Sequence, residues 1–139
     1  MDKILNYING ELVEPVGKSY LDNVDPSRGK VYSLIPDSDE RDVQLAVDAA
    51  KAAFKEWSNT SKEKRARVLQ RISFLIEDNI DKLALIESVD NGKPLHLAKT
   101  VDIPRAAANF NFYATGILHY AANTHAMEDM AIKDRKSVV

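Results

Sequence analysis

One stretch in the C-terminal third, residues 102–122, reads DIPRAAANFNFYATGILHYAA. Its apolar and small side chains recur at helical spacing and form one continuous stripe. The stripe consists of Ile103, Ala106, Ala107, Phe110, Tyr113, Ala114, Ile117, Leu118 and Ala121. Pro104 is tolerated in a first helical turn, and Asp102 is the expected cap. The stretch predicts the longest helix of the chain, with an apolar face that must pack against something.

Three more helices are predicted before this stretch. Ser38 is expected to cap the first, and Asp39 and Glu40 in the first turn also suit the positive end of the helix dipole. The apolar face of this helix consists of Val43, Ala46, Val47, Ala50, Ala53, Phe54 and Trp57. A polar break at 59–61 caps the second helix, whose apolar face consists of Val68, Leu69, Ile72, Leu75 and Ile76. A third helix is expected over about 81–90, with Gly92 in a left-handed C-terminal cap.

The N-terminal third predicts strands and turns instead. Segments 5–8 and 11–13 flank Asn9-Gly10, and Asn-Gly supplies the two positive-φ positions of a type I′ hairpin turn. A further strand is expected at 31–35, and the tail predicts another at about 127–139. The predicted fold class is therefore α+β and helix-dominated, with an N-terminal β-hairpin and strands, about four helices and a C-terminal strand.

Composition narrows the class of protein. The 139 residues suit one domain, and 45% hydrophobic and 29% charged residues are ordinary for a globular chain. A formal net charge of -2 gives no electrostatic reason to expect nucleic acid or an anionic membrane as partner. The absence of cysteine excludes disulfides, thiolate zinc sites and a thiol nucleophile. Neither a secretory signal nor a membrane span is visible, so a cytoplasmic location is expected.

Four short stretches are informative because of the order in which they follow one another along the chain. They are Tyr7-Ile8-Asn9-Gly10-Glu11, Val24-Asp25-Pro26-Ser27-Arg28-Gly29-Lys30, Asp90-Asn91-Gly92-Lys93-Pro94 and Asp102-Ile103-Pro104-Arg105. Together they resemble the N-terminal part of a NAD(P)-dependent aldehyde dehydrogenase, and within that family the branch that acts on muconic semialdehydes. The resemblance implies that residues 1–126 form the periphery of the cofactor-binding domain and that 127–139 begin the oligomerisation arm.

The resemblance also implies that the family's chemistry lies further along its chain. That chemistry uses a Pro-Trp-Asn segment, a lysine for the adenosine ribose, a Gly-rich Rossmann turn, a Glu-Leu-Gly-Gly general-base segment and a nucleophilic cysteine, and none of these occurs here. Hydride transfer needs a bound nicotinamide and an activated acyl acceptor. We therefore expect no catalytic residue, no cofactor-binding residue and no dehydrogenase activity in this chain alone, although the full-length family uses NAD(P).

Two remnants of function are implied residue by residue. In the branch named above, an arginine at the position of Arg105 pairs with the carboxylate of the substrate, a task that suits a planar guanidinium. The alternative is a surface arginine on the polar face of an amphipathic helix. A monovalent-cation site is also implied, in which backbone carbonyls near Asn23 and Val24 join Asp90, since hard cations prefer oxygen ligands. The alternative is that Asp90 merely ends a helix beside Gly92.

The leading hypothesis is a truncated aldehyde dehydrogenase fragment that is catalytically silent and associates as a homo-oligomer. The helices of this fold cover a sheet that these residues do not contain, so their apolar faces need another partner. One rival is a piece of a split or nicked dehydrogenase, active only with the remaining segment. The other is a regulatory module that docks on full-length aldehyde dehydrogenase subunits through residues 127–139. Whether the chain acts in an enzyme is left open between these hypotheses.

Overall fold

The computed structural model describes residues 1–120 together with the backbone of 124–127 and 130–133. The first strands are β1 (Asp2–Lys3), β2 (Asn6–Ile8), β3 (Glu11–Val13), β4 (Tyr20–Asp25) and β5 (Lys30–Pro36). The helices are α1 (Glu40–Ser58), α2 (Lys62–Asp78), α3 (Ile80–Asn91), the short α4 (Leu95–Leu97), a π-helical turn (Ala98–Asp102) and α5 (Ile103–His119). Strands β6 (Thr124–Met127) and β7 (Met130–Lys133) follow. The predicted helix-dominated α+β class is confirmed.

The β2–β3 hairpin forms as predicted. Tyr7 pairs with Leu12 in an antiparallel register. Asn9 has a φ of 54° and Gly10 a φ of 85°, so both occupy the left-handed region that a type I′ turn requires. The hairpin is a separate two-stranded sheet, and it packs on α1.

The larger sheet has the strand order β1-β5-β4, with β1 parallel and β4 antiparallel to β5. Strand β5 confirms the prediction at 31–35 and extends it by one residue at each end. The sequence predicts neither β1 nor β4, because β1 is very short and β4 is rich in Asp and Asn, which are depleted in strands. Pairing with β5 overrides that local preference, and a register shift at Asn23 and Val24 leaves Tyr32 of β5 as the extra residue of a β-bulge.

Helix α1 is capped by Asp39, so the prediction that Ser38 caps it is wrong. The Asp39 side chain accepts the Arg41 N–H at 2.8 Å. The Asp42 carboxylate accepts the Asp39 N–H at 3.0 Å, which completes a capping box. Because two carboxylates form both halves of this box, Ser38 bonds instead to the Asn6 side chain.

The remaining helix ends follow the sequence, with one exception. Asn59 ends α1 and Ser61 caps α2, as predicted. Gly92 ends α3 with a φ of 75°, the left-handed cap expected of it. Asp102 does not cap α5, because it lies inside one helical run that begins at α4 and continues through the π-helical turn. The wider turn directly precedes Pro104, whose ring would clash with a carbonyl one turn back in a regular α-helix.

The helices bury small side chains and leave many large ones exposed. Helix α2 packs against α5, and Ala66, Ser73, Ala107 and Ala114 are buried on these two helices. The Ser73 hydroxyl donates to the Ala107 carbonyl at 2.8 Å. Exposed apolar side chains of the helices include Val43, Val47, Phe54, Trp57, Phe74, Leu75, Phe112, Tyr113 and Leu118. Within the described residues, the apolar faces predicted from the sequence are therefore not sealed inside the chain.

The described tail forms a second small antiparallel pair. Strand β6 pairs with β7, and Met127 lies opposite Met130. Two short strands thus replace the single strand predicted at about 127–139, while 134–139 lie outside the described residues. The expected domain boundary between 126 and 127 falls within β6 and stays a prediction. Among the described helices, none is both long and apolar enough to cross a bilayer.

Candidate functional site

The first candidate site, the Asp90 cluster, consists of Asn23, Tyr32, Ser33 and Asp90. Asn23 Nδ2 donates to Asp90 Oδ1 and to Ser33 Oγ, both at 3.1 Å. The Tyr32 hydroxyl donates to the same Asp90 oxygen at 2.6 Å. The structure thus brings together Asn23 and Asp90, two of the residues predicted for a cation site. Tyr32 and Ser33 carry no sequence signal, because only the β4–β5 register places them beside Asn23.

A tight turn after β4 anchors this cluster to the end of α3. The buried Asp25 carboxylate accepts hydrogen bonds from the Ser27 hydroxyl at 2.6 Å and from the Ser27 N–H at 2.8 Å, which lower the pKa of Asp25. Pro26 in this turn lies against Gly92, and a Cβ built on Gly92 would be 2.9 Å from Pro26 Cγ. The close contact holds the last turn of α3 where Asp90 meets the two strands.

Hydrogen bonding favours the charged form of Asp90. The Tyr32 hydroxyl, and then the Asn23 amide, lower the pKa of the Asp90 carboxyl, while partial desolvation opposes them. The hydrogen bond to Asp90 likewise raises the pKa of Tyr32. At neutral pH the cluster therefore contains one carboxylate surrounded by neutral hydrogen-bond donors.

The predicted cation site would need oxygen ligands from Asp90 and from the backbone of β4. The ladder is irregular at Asn23 and Val24, because Tyr32 of β5 is an extra residue opposite them. Carbonyls there and the Asp90 carboxylate are the ligands that hard cations prefer. The described residues contain no group of three or more His, Cys, Asp or Glu that could hold a metal ion, so a cation here depends on the backbone of Asn23 and Val24. The monovalent-cation site stays a prediction, with Asp90 as its charged ligand.

The second candidate site, the Arg105 cluster, lies around the start of α5. Arg105 Nη2 is 3.4 Å from Asp102 Oδ1, and 69% of the Arg105 side chain is exposed. Lys93 Nζ donates to Asp102 Oδ2 at 2.7 Å and to Glu87 Oε1 at 2.8 Å. The hydrogen bond to Asp102, followed by that to Glu87, raises the pKa of Lys93. The cluster therefore balances two cations with two carboxylates.

The Arg105 cluster presents an exposed guanidinium at its outer edge, and its predicted role in binding a carboxylate stays a prediction. A guanidinium fork binds a carboxylate with two parallel hydrogen bonds, whereas the one contact of Arg105 among the described residues is a long contact with Asp102. The strong contact of Asp102 is with Lys93, so Arg105 keeps donors for a ligand. From the sequence, Asp102 is predicted as a helix cap, and Lys93 is noted only as a member of a family-like stretch. The three-residue spacing of Asp102 and Arg105 was the one signal that could have linked them.

Comparison with known proteins gives both clusters a family context. The profile of the aldehyde dehydrogenase family matches residues 12–139. The chain is 44% identical to the 2-aminomuconic semialdehyde dehydrogenase of Bos taurus over 125 residues, which are 90% of this chain and 25% of the relative. PnpE from Pseudomonas sp. WBC-3 matches with a TM-score of 0.87 at 32% identity, over 93% of this chain and 26% of that one.

A further solved structure adds to these findings. The aldehyde dehydrogenase from Bacillus cereus, solved as its NAD+ complex, matches with a TM-score of 0.87 at 29% identity, over 92% of this chain and 26% of that one. The chain thus spans about a quarter of the length of the relatives it matches. All residues of the Asp90 and Arg105 clusters lie inside the range that the family profile matches.

Proposed function

Because the chain belongs to the aldehyde dehydrogenase family, we propose that it forms the N-terminal part of an enzyme that oxidises an aldehyde to a carboxylic acid with NAD(P). We propose further that the 139 residues are catalytically silent without the remaining segment. One observation supports both statements: the family profile matches nearly the whole of a chain that contains no cysteine. The resemblance implies a cysteine nucleophile, and this polypeptide cannot supply one.

The proposed substrate is a semialdehyde that carries a carboxylate. The Bos taurus relative is named for a semialdehyde of this kind. Arg105 supports the same substrate class, because its guanidinium is mostly exposed and only loosely held by Asp102. A carboxylate that approaches α5 can therefore replace a 3.4 Å contact with two shorter ones.

A chimera tests the proposed function. Residues 1–139 would replace the matching quarter of the Bos taurus relative, and NADH absorbance would be followed with a carboxylate-bearing semialdehyde. We expect turnover from the chimera and none from the 139-residue chain alone. Turnover by the chain alone would contradict the proposal that it is catalytically silent. A folded but inactive chimera would contradict the proposal that the chain forms the N-terminal part of an active dehydrogenase.

Arg105→Ala in the same chimera tests the substrate class. We expect the variant to raise KM for the semialdehyde by roughly tenfold or more, because hydrogen bonds to charged groups contribute about 1.5–3 kcal/mol. The KM for a neutral aldehyde should stay unchanged, since it offers no carboxylate to Arg105. Equal effects on both substrates would contradict a role in recognising the carboxylate.

We also propose that the chain alone associates with itself. Phe54 and Trp57 on α1 are 65% and 44% exposed, and Phe112 and Tyr113 on α5 are 68% and 65% exposed. Monomeric proteins rarely expose so much apolar surface, and pairing with a second copy would cover it. Size-exclusion chromatography with light scattering tests this proposal. A clean monomer at micromolar concentration would contradict it.

A regulatory role remains the alternative proposal. The β6–β7 pair belongs to the tail through which the chain would dock on full-length aldehyde dehydrogenase subunits, and a two-stranded sheet has free edges that can pair with another chain. A pull-down with and without 127–139 tests it, and binding should be lost with the tail. Binding that survives the deletion would contradict this mode of docking. A cytoplasmic location likewise stays a prediction.

A further inference from the structure

The chain contains two Asn-Gly pairs, at 9–10 and 91–92, and their surroundings differ. Asn9 and Gly10 form the exposed turn of the β2–β3 hairpin, where a Cβ built on Gly10 meets no described atom within 4 Å. The hairpin is a separate sheet with three residues in each strand. A two-stranded hairpin has little stability of its own, so this turn opens readily to other backbone conformations.

The pair at 91–92 is held by several hydrogen bonds. Asn91 Nδ2 donates to Glu87 Oε1 at 2.6 Å, and Asn91 Oδ1 accepts the Lys93 N–H at 3.0 Å. The Gly92 N–H donates to the Ser88 carbonyl at 2.9 Å. Movement of the Gly92 nitrogen toward the Asn91 side chain would therefore break the end of α3 and both amide contacts.

We propose that Asn9 is a site of spontaneous deamidation and that the fold protects Asn91 from the same reaction. The backbone nitrogen of Gly10 loses its proton to solvent base and attacks Asn9 Cγ. A bond between nitrogen and Cγ forms, the Cγ–Nδ2 bond breaks, and ammonia leaves with a proton taken from solvent. Water then opens the resulting cyclic imide at one of its two carbonyls, which yields aspartate or isoaspartate. No oxidant or reductant takes part.

The two products have different consequences for the fold. Aspartate at position 9 keeps the hairpin, since Asp-Gly also suits a type I′ turn. Isoaspartate adds a methylene to the main chain, so the two-residue turn no longer closes and the Tyr7–Leu12 register is lost. The hairpin and Ala46 and Ala50 of α1 line one surface cavity, so isoaspartate would also change the shape of this cavity.

Site-resolved kinetics on the 139-residue chain test the proposal. The chain is kept in mildly alkaline buffer, both Asn-Gly peptides are followed by mass spectrometry, and isoaspartate is labelled with an L-isoaspartyl methyltransferase. In the native chain we expect Asn9 to react at least about tenfold faster than Asn91, because a small hairpin opens at lower cost than a hydrogen-bonded helix end. In concentrated urea the two sites should react at similar rates.

A control variant and two outcomes complete the test. Asn9→Gly keeps the turn, since Gly-Gly suits type I′ geometry, and should remove the fast reaction while the rate at Asn91 stays unchanged. Equal rates at the two sites in the native chain would overturn the proposal. A difference that persists in urea would also overturn it, because local sequence rather than the fold would then protect Asn91. Neither outcome depends on dehydrogenase activity.

Discussion

Gly92 combines a left-handed backbone with close contact to a neighbouring turn. Its φ is 75°, and a Cβ there would meet Pro26 Cγ at 2.9 Å. We expect Gly92→Ala to lower the free energy of unfolding by about 2–3 kcal/mol, measured by urea denaturation. Gly116→Ala is the matched control: it lies within α5, where a Cβ meets no described atom within 4 Å, and should raise stability by up to about 1 kcal/mol. Equal effects of the two variants would contradict this argument.

The Asp90 cluster makes stability depend on pH. The folded chain lowers the pKa of the Asp90 carboxyl. The carboxylate therefore stabilises the fold fully above the pKa of an unfolded Asp, which is about 4, and this stabilisation is lost as the pH falls through the folded pKa. Tyr32→Phe removes the main cause of this shift. The variant should be less stable than the parent at neutral pH, and the difference should shrink below about pH 4 in urea melts.

Tyr7→Phe is the control for the Tyr32 variant, because Tyr7 is an exposed tyrosine outside the Asp90 cluster. It should show no such pH dependence. A Tyr32→Phe penalty that stays constant from neutral to acidic pH would contradict the assignment to Asp90.

Side chains of the two clusters differ in how far the sequence could identify them. Asn23, Asp90 and Arg105 were reachable through the family resemblance, because the resemblance implies a role at each of these positions. Tyr32 was not, since its hydroxyl meets Asp90 only through strand pairing and the docking of α3. Lys93 was missed for a similar reason: its contact with Asp102 depends on the path of α4 and the π-helical turn.

At the scale of elements, Asp42 joins α1 to the loop between β3 and β4. Its buried carboxylate accepts the Val16 N–H at 2.9 Å as well as the Asp39 N–H. We expect Asp42→Ala to lower the free energy of unfolding by about 2 kcal/mol, because a helix cap is lost and two backbone donors are left without acceptors. Asp48→Ala on the same helix removes an exposed contact with Gln44 and should cost less than about 0.5 kcal/mol. Similar losses of stability in the Asp42→Ala and Asp48→Ala variants would contradict the role of Asp42 as cap and acceptor.

Elements defined by short-range signals were predicted well. The Asn9-Gly10 turn and the Gly92 cap need only two or three neighbouring residues, and both formed as expected. Strand β4 depends on β5, so its polar sequence concealed it. The cap of α1 is Asp39 rather than Ser38, because Asp42 lies three residues after Asp39 and completes a capping box with it.

At the scale of the molecule, the exposed aromatic residues of α5 are the strongest candidates for contacts between copies. Phe112 and Tyr113 pack edge to face at 5.3 Å, and both are mostly exposed. We expect Phe112→Ser to raise the concentration at which the proposed oligomer dissociates by at least about tenfold, measured by light scattering, since aromatic residues dominate interface energies. Asn111→Ser, its exposed neighbour, should have no such effect. An unchanged midpoint for Phe112→Ser would exclude this face from the interface.

The π-helical turn between α4 and α5 has a geometric consequence for the whole C-terminal half. Such a turn absorbs one surplus residue by widening, without ending the helix. Five residues of such a turn cover about the same angle as four residues of an α-helix, so the helix on either side keeps nearly its regular phase. Lys93, before the turn, and Arg105, after it, therefore both reach Asp102 although the run contains one residue more than a regular helix would.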